Sequence, residues 1–372
     1  MNHRKSKRMN FSYLWKWSLF VFGLGIILAS CSSESSSKHQ AVMSGAIGKI
    51  SEVVAVADDN VWEGIAGDTF RYYFGSPYLI LPQPEPILDI RHLTPEQLEN
   101  DHMLRDLRTY VFLGNLNDEN SKTTKMIKKD IGEEKVRQAL SDPNFHTVVG
   151  HNKWARGQML TFVFGNSPDA LAKNIKESYP SIAKRIHDFD QKNIGNSVYF
   201  RGRNIGIEKD IQKKVGLEIH IPQAYFVALD NENTTWLRKE DSKSSSNIFV
   251  HKLPYVSEKQ FTQEGIRSIR DSLGKYVTTD IPGAYMRTND KDLPMFVTPM
   301  EINGTYAVEA RGIWDLVNDF MGGPFIGYLI HNKKKNELVY VEGFVHAPSV
   351  SKRKYMEKLE HILRTSKLTD SE

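Results

Sequence analysis

The clearest structural signal in the chain reads Phe325-Ile-Gly-Tyr-Leu-Ile-His331 and, after a polar break, Glu337-Leu-Val-Tyr-Val-Glu-Gly-Phe-Val-His346. Both stretches alternate along the chain in the way that half-buried strands do. The break contains Lys333-Lys-Lys-Asn336, which is typical of a polar turn. The sequence therefore predicts an antiparallel hairpin over residues 325–346.

The same order of elements occurs on either side of the middle of the chain. A β-branched run at residues 50–57 is followed by a helical apolar pattern, two further strands and a long helix that begins near Pro168. After residue 217, strands again precede a helix, the hairpin and a closing helix. This order predicts an α+β fold of two related split βαβ, ferredoxin-like modules with mostly antiparallel sheets. We expect the modules at residues 46–198 and 199–372.

The first thirty residues have the pattern of a bacterial export signal. Five basic residues and no acidic residue precede Cys31, and an apolar run over residues 17–28 is too short for the ~20 residues of a spanning helix. Leu28-Ala-Ser-Cys31 resembles the lipobox, in which the cysteine receives a diacylglycerol. We therefore expect a signal peptide at 1–30, a lipidated Cys31 and a serine-rich tether at 31–45; a signal anchor with an incidental cysteine is the alternative.

The charge balance depends on this leader. The chain has a net charge of +4, but residues 1–30 supply five positive charges and no negative ones, so the remainder is near −1. The basic balance therefore disappears with the leader, and we expect no nucleic-acid partner. Cys31 is also the only cysteine, so no internal disulfide can form, and its expected lipidation leaves no free thiol for catalysis.

Common catalytic motifs are absent from the sequence. It has no glycine-rich phosphate loop, no Gly-x-Ser-x-Gly elbow and no His-Glu-x-x-His pair. The pairs His146/His151 and Glu218/His220 have usable ligand spacing, but two ligands favour isolated roles over a metal site, and we predict no metal or cofactor. Arg267, Arg270 and Asp271 are expected on a solvated helix face with local ion pairs.

Residues 309–325 contain the densest group of aromatic, charged and glycine residues. The candidate ligand or partner contacts are Arg311, Trp314, Asp319, Met321, Gly322, Gly323, Pro324 and Phe325. Gly-Gly-Pro allows backbone angles that other residues avoid and then fixes the next one, which suits a loop that presents side chains to a ligand. A turn that fills the junction between a helix and the hairpin is the alternative, and the pattern favours it.

The same segment carries a family resemblance. Residues 314–325, Val341-Glu-Gly-Phe-Val345, Ala347-Pro348 and Lys352-Arg353 resemble a Bacteroidota lipoprotein family described as domain of unknown function 4837. The resemblance extends over nearly all of the chain after the leader. It implies an envelope lipoprotein, and it implies no activity and no catalytic residue.

Three functions fit these observations. The leading hypothesis is a non-catalytic binding or assembly module, held to the membrane by its lipid and able to contact an envelope protein. The alternative is an envelope hydrolase that uses Glu309, Glu342 or Asp319, because Glu309 and Arg311 would share one face of a strand. A structural role in outer-membrane assembly is the third. Ser32, rather than an aspartate, after the lipidated cysteine favours the outer membrane over the inner.

Overall fold

The computed structural model describes residues 43–369 as a mixed α+β protein with 34% helix and 33% strand. The strands are β1 Glu52–Val56, β2 Asp89–Leu93, β3 Thr109–Asn115, β4 Thr147–His151, β5 Met159–Gly165, β6 Leu217–Glu218, β7 Phe226–Asp230, β8 Thr234–Glu240, β9 Ser245–Pro254, β10 Tyr285–Asn289, β11 Phe296–Ile302, β12 Thr305–Val317, β13 Gly322–Asn332, β14 Glu337–His346 and β15 Lys367–Leu368. The α-helices are α1 Asp59–Trp62, α2 Ile65–Phe74, α3 Pro95–Asn100, α4 His102–Arg105, α5 Lys122–Ile131, α6 Glu133–Ser141, α7 Pro168–Val198, α8 Ile205–Val215, α9 Gln263–Gly274 and α10 Arg353–Leu363. The prediction of a mixed α+β class is confirmed.

Five strands of the first half form one sheet in the order β2-β1-β3-β5-β4. Strands β2, β1, β3 and β5 run parallel, and β4 runs antiparallel to β5. Strands β3 and β5 are buried along almost their whole length. Such continuous burial is typical of parallel strands covered by helices on both faces.

Helices cover both faces of this first sheet. Val111 of β3 packs in a cluster with Phe70 of α2 and with α7, whereas its neighbour Phe112 packs with Ile127 of α5 on the opposite face. The side chains of a strand alternate between faces, so one strand contributes to both clusters. The first half is therefore a helix–sheet–helix sandwich.

The second sheet is antiparallel throughout. Its order is β10-β12-β13-β14-β9-β8-β7, and β11 also pairs with β12. The predicted hairpin is confirmed as β13 and β14, with Phe325 opposite Phe344 and Asn332 opposite Glu337. Strands β6 and β15 form a separate two-stranded sheet.

Both faces of the second sheet are covered by helices. Leu359 of α10 shares a buried cluster with Val341 of β14, and Ile266 of α9 shares another with Phe325 and Tyr340. Helix α10 also packs against α7 of the first half, and the chain from Ser44 onward forms one compact unit. Within residues 43–369, no helix is both long enough and apolar enough to cross a membrane.

The predicted ferredoxin-like modules are not confirmed. A ferredoxin-like module has an antiparallel sheet, but the first sheet is mainly parallel because helices, rather than hairpin turns, connect its central strands. The second sheet is built mainly from consecutive antiparallel strands. The two halves thus differ in strand direction, and their common order of elements does not reflect a common topology.

Candidate functional site

Helix α10 carries charges of opposite sign on its two flanks. The buried residues Met356, Leu359, Ile362 and Leu363 recur at helical spacing and fix the helix on the second sheet. Lys354 and Lys358 are one turn apart and line a cleft on one flank. Glu357 and Glu360 line a second, smaller cavity on the other. The helix thus separates a basic cleft from an acidic cavity.

The basic cleft, which we call the lysine cleft, has a volume of about 410 Å³. It lies between the end of α7, the segment before β7, the β8–β9 hairpin and α10. Apolar side chains (Val350, Leu359, Ile362), hydroxyl groups (Tyr225, Ser246, Tyr355) and ammonium groups (Lys239, Lys354, Lys358) are among those that line it. An apolar wall with a few polar groups is the usual composition of a ligand site.

The three lysines of the cleft differ in exposure, but all of them lack an ion-pair partner among the described residues. Lys239 and Lys358 are half-buried and Lys354 is exposed. In the described part of the chain, none of the three ammonium groups has a carboxylate within ion-pair distance; most other buried or half-buried cations of the protein do, among them Arg311 and Arg353. Asp241, an exposed residue of the β8–β9 turn, is the one carboxylate among the described residues that line the cleft. Three positive charges against this one negative charge leave a positive potential in the cleft.

The positive potential changes the pKa of Lys358. Burial lowers the pKa of its ammonium group, and the positive charges of Lys239 and Lys354 lower it further. Asp241 and Glu357 act in the opposite direction but do not compensate. Lys358 therefore releases its proton more easily than an ordinary lysine.

Neutral hydroxyl groups complete the polar lining. Tyr225 is 5% exposed, and burial raises the pKa of its phenol, so the group keeps its proton at neutral pH. A neutral hydroxyl donates a hydrogen bond to an anion at no electrostatic cost. The lysine cleft can thus bind an anionic group and cover an attached apolar part.

The acidic cavity on the other flank of α10 has a volume of about 280 Å³. Ser51 connects two of its carboxylates: its backbone N–H donates to Asp190 (2.8 Å) and its hydroxyl donates to Glu357 (2.6 Å). Arg108 also pairs with Asp190. Burial raises the pKa of both Asp190 and Glu357, despite the hydrogen bonds from Ser51 and the nearby arginines, which lower it.

The Glu309–Arg311 pair predicted from the strand pattern is present next to this cavity. Arg311 Nε lies 2.6 Å from Glu309 Oε1, and Arg311 Nη2 lies 2.9 Å from Glu360 Oε1. Arg364 also pairs with Glu360 at 2.8 Å, and Arg311 donates to the hydroxyl of Tyr78 from the first half. These contacts connect β12, α10 and the first half. Because the Glu309 carboxylate is paired with Arg311, it is not free for the acid–base role that the hydrolase alternative gives it.

Two of the predicted contact residues are part of the core. Trp314 lies within β12 and is 3% exposed, and Phe325 lies within β13 and is 1% exposed. The ring of Trp314 meets that of Phe344 edge-on, and Phe325 lies beneath the guanidinium of Arg270. The aromatic segment is therefore a pair of strands rather than a loop presented to solvent.

The remaining predicted contacts lie at the turn between β12 and β13. Asp319 is half-buried and accepts a hydrogen bond from Thr279, and Met321 is half-buried beside the core. Gly322, Gly323 and Pro324 begin β13, opposite the last residues of β12. The structure brings Trp314 and Gly322–Phe325 together and places Arg311 farther along β12, in the contacts with α10. Whether any of them contacts a ligand stays a prediction.

The solvated helix face predicted for Arg270 is wrong. The Arg270 side chain is fully buried, pairs with the buried Glu342 at 3.0 Å and stacks on Phe325. Tyr340 donates to the same carboxylate at 2.8 Å. Arg267, in contrast, forms a partly exposed pair with Asp290. Glu342, one of the acids of the hydrolase alternative, lines neither of the two cavities on the flanks of α10.

The histidine pairs occupy separate places. His220 lies 3.7 Å from Glu218, and His146 and His151 lie at the two ends of the β4 region. Among residues 43–369, no three histidine, cysteine or acidic side chains are grouped so that they could hold a metal ion. Cys31, the predicted lipidation site, lies outside the described residues.

The sequence did not indicate the lysine cleft. Lys239 is separated from Lys354 by more than a hundred residues, and β8 and α10 meet only through the second sheet. The one local signal was Lys354 and Lys358 at i and i+4, a like-charge pair that destabilises an isolated helix. A pair of this kind on one flank of an amphipathic helix indicates a role other than helix stability.

Two family models match the chain, each over one half. Residues 204–365 match a domain of unknown function (DUF4837), and residues 46–199 match a second domain of unknown function (DUF8532). The predicted resemblance to the first family is supported for the second half only. No curated protein matches the chain.

Solved structures show only a distant likeness. The Ran-binding protein Mog1p of Saccharomyces cerevisiae is 12% identical, covers 42% of this chain and 91% of its own, and superposes with a TM-score of 0.28. A mutant of protein Mog1 is 13% identical, with coverages of 42% and 92% and the same TM-score. Likeness at this level carries no argument about fold or function.

Proposed function

We propose that the protein is an envelope lipoprotein, anchored through Cys31, that acts as a binding module for a ligand with an anionic group. The lipobox and the serine-rich tether support the anchor. The lysine cleft supports the binding role and gives it a position in the second half of the chain. The outer membrane is the proposed location, because Ser32 follows the lipidated cysteine.

One observation carries the binding role: the three ammonium groups of Lys239, Lys354 and Lys358 share one cleft with no carboxylate paired to them in the described residues. Holding like charges together in a partly buried site costs free energy, and the cost is removed when an anion binds. The apolar wall of Val350 and Leu359 adds burial for the rest of the ligand. A phosphate or carboxylate on an apolar body satisfies both parts of the site.

The second candidate function is the envelope hydrolase, with its acids at the acidic cavity rather than at Glu309. The raised pKa values of the carboxylates there favour it. Asp190 and Glu357 lie at a cavity and have the raised pKa values that a general acid uses, although Asp190, like Glu309, is paired with an arginine. Both carboxylates also hold the structure together through Ser51. The lysine cleft is the stronger candidate because its charged groups have no such structural partners.

Calorimetric titration of the full-length protein in non-ionic detergent with phenyl phosphate tests the binding role. We expect saturable binding that weakens as salt is raised, because the attraction is electrostatic. Lys239→Met and Lys354→Met keep the side-chain length and remove the charge, so each should weaken binding about tenfold, the effect of losing roughly 1.4 kcal/mol.

The matched control is Lys209→Met, an exposed lysine of α8 that does not line the cleft. It should bind phenyl phosphate like the unchanged protein. Equal weakening in all three variants would indicate a general effect of net charge and would overturn the assignment of the site. No saturable binding at millimolar concentration would overturn the binding role itself.

A further inference from the structure

The lysine cleft contains a side chain whose chemistry goes beyond charge pairing. Lys358 is half-buried and lies on α10 one turn from Lys354, with Lys239 facing it from β8. In the described part of the chain, no acceptor binds its ammonium group. An amine in this setting is held in place by the helix but is not neutralised by a partner.

The groups around Lys358 favour its neutral form. Burial and the charges of Lys239 and Lys354 lower its pKa, while Asp241 of the β8–β9 turn and Glu357 of its own helix partly oppose this. Burial keeps the Tyr225 phenol protonated, so this hydroxyl adds no negative charge to the cleft. Neighbouring cations and partial desolvation are the means by which enzymes make a lysine nucleophilic.

We propose that Nζ of Lys358 forms an imine with the carbonyl group of an aldehyde or ketone whose anionic group pairs with Lys239 and Lys354. The inference rests on the proposed function, since the anion brings the carbonyl to the amine. The ligand class is a small carbonyl compound that carries a phosphate or carboxylate.

The step balances without another reactant. The lone pair of the neutral amine forms a bond to the carbonyl carbon, and the C–O π pair moves to oxygen, which takes up a proton. The resulting carbinolamine loses the nitrogen-bound proton and the hydroxyl group as water and leaves a C=N bond. Amine and carbonyl are thus converted to imine and water, with no oxidant or reductant.

Lys358, rather than its two neighbours, is assigned as the nucleophile. Lys239 is also half-buried, but it is two residues from the carboxylate of Asp241, whose pKa it lowers. Lys354 is exposed and keeps its hydration, which stabilises the ammonium form. The two neighbours are therefore assigned to binding the anion, and Lys358 to the covalent bond. This division of roles predicts different consequences for each substitution.

Reductive trapping with pyridoxal 5′-phosphate, which has both an aldehyde and a phosphate, tests the inference. The full-length protein is incubated with the probe, reduced with borohydride and analysed by peptide mass spectrometry. We expect the reduced adduct on Lys358 at least tenfold above that on Lys209, an exposed lysine of α8. Pyridoxal, which lacks the phosphate, should label Lys358 much less.

Lysine variants and the pH dependence of Lys358 acetylation distinguish imine formation from anion binding alone. Lys358→Met should abolish the adduct in the cleft and weaken phenyl phosphate binding no more than loss of one of the three charges does, whereas Lys354→Met should reduce both without abolishing the adduct. Competitive acetylation of Lys358 should reach its midpoint below the ordinary lysine pKa of about 10.4. Phenyl phosphate binding with adducts spread evenly over exposed lysines would overturn the imine and leave the proposed function intact. The absence of both would overturn the two together.

Discussion

Single residues gain their properties here from neighbours that are distant in sequence. Arg270 was expected in solvent, but it lies on the same stripe of α9 as Ile266, four residues before it, and Leu273, three residues after it, and that stripe is buried. The spacing was visible in the sequence. What the sequence could not show is the partner, Glu342, more than seventy residues away, which makes burial of the arginine tolerable.

The acidic cavity yields a prediction at this scale. Glu357→Gln keeps an acceptor for the hydroxyl of Ser51 but removes the titrating carboxyl. Burial raises the pKa of Glu357 in the folded protein, so folding stability that the protonated group provides at low pH is lost as the pH rises through the folded pKa. The glutamine does not titrate and keeps that stability.

We therefore expect the unfolding free energy of the variant, relative to the unchanged protein, to increase as the pH rises from about 4.3, the ordinary glutamate pKa. Each unit by which the folded pKa is raised is worth about 1.4 kcal/mol. Urea unfolding followed by circular dichroism at a series of pH values measures this difference. A difference that is constant with pH, or that falls as the pH rises, would contradict the prediction.

Elements were predicted well where the apolar period was strong. The hairpin of β13 and β14 was predicted from alternation alone, and the structure pairs the two strands over that range. Helix α5 has more charged than buried residues, so its sequence carries only a weak apolar signal. Local pattern also could not fix strand direction, because direction depends on what connects the strands.

The Gly-Gly-Pro segment gives a prediction at the scale of an element. A Cβ on Gly323 would lie 1.8 Å from the carbonyl oxygen of Val345 and 3.2 Å from the indole nitrogen of Trp314. Gly323→Ala must therefore separate β13 from its neighbours, which we expect to cost about 1–3 kcal/mol of folding stability. Chemical denaturation measures this cost.

The matched control is Gly206→Ala in the first turn of α8, where an added Cβ meets only the side chain of Asn204 at 3.7 Å. Because alanine is a better helix former than glycine, this variant should equal or slightly exceed the unchanged protein in stability. If Gly323→Ala is as stable as the control, the close packing described for this segment is incorrect.

At the scale of the whole molecule, composition and motif positions gave two results that stay predictions. The charge near −1 after the leader argued against nucleic acid, and the lipobox suggested an anchor. The candidate site could not be predicted, because the lysine cleft exists only where β8, α7 and α10 meet. The segment expected to contact a ligand was chosen for its unusual composition, but four of its eight candidate residues, among them Trp314 and Phe325, are buried in the fold.

The anchor gives the prediction at this scale. Cells that express the chain are fed an alkyne-labelled fatty acid, and the protein is then isolated and its mass determined. The unchanged protein should carry the label and lack residues 1–30. Cys31→Ser should carry no label and retain the leader, because the thiol is the atom that receives the lipid. Ser33→Ala is the control and should be labelled normally; label that persists in Cys31→Ser would contradict the anchor.

The position of a bound anion tests the central claim, that the lysine cleft is the ligand site. The measurement is nuclear magnetic resonance of the isotope-labelled full-length protein in detergent, titrated with phenyl phosphate. We predict saturable shifts confined to amides around residues 222–225, 239–246 and 350–362, lost in Lys354→Met. Non-saturating shifts scattered over other basic surfaces, such as the Lys333-Lys-Lys turn, would contradict the account.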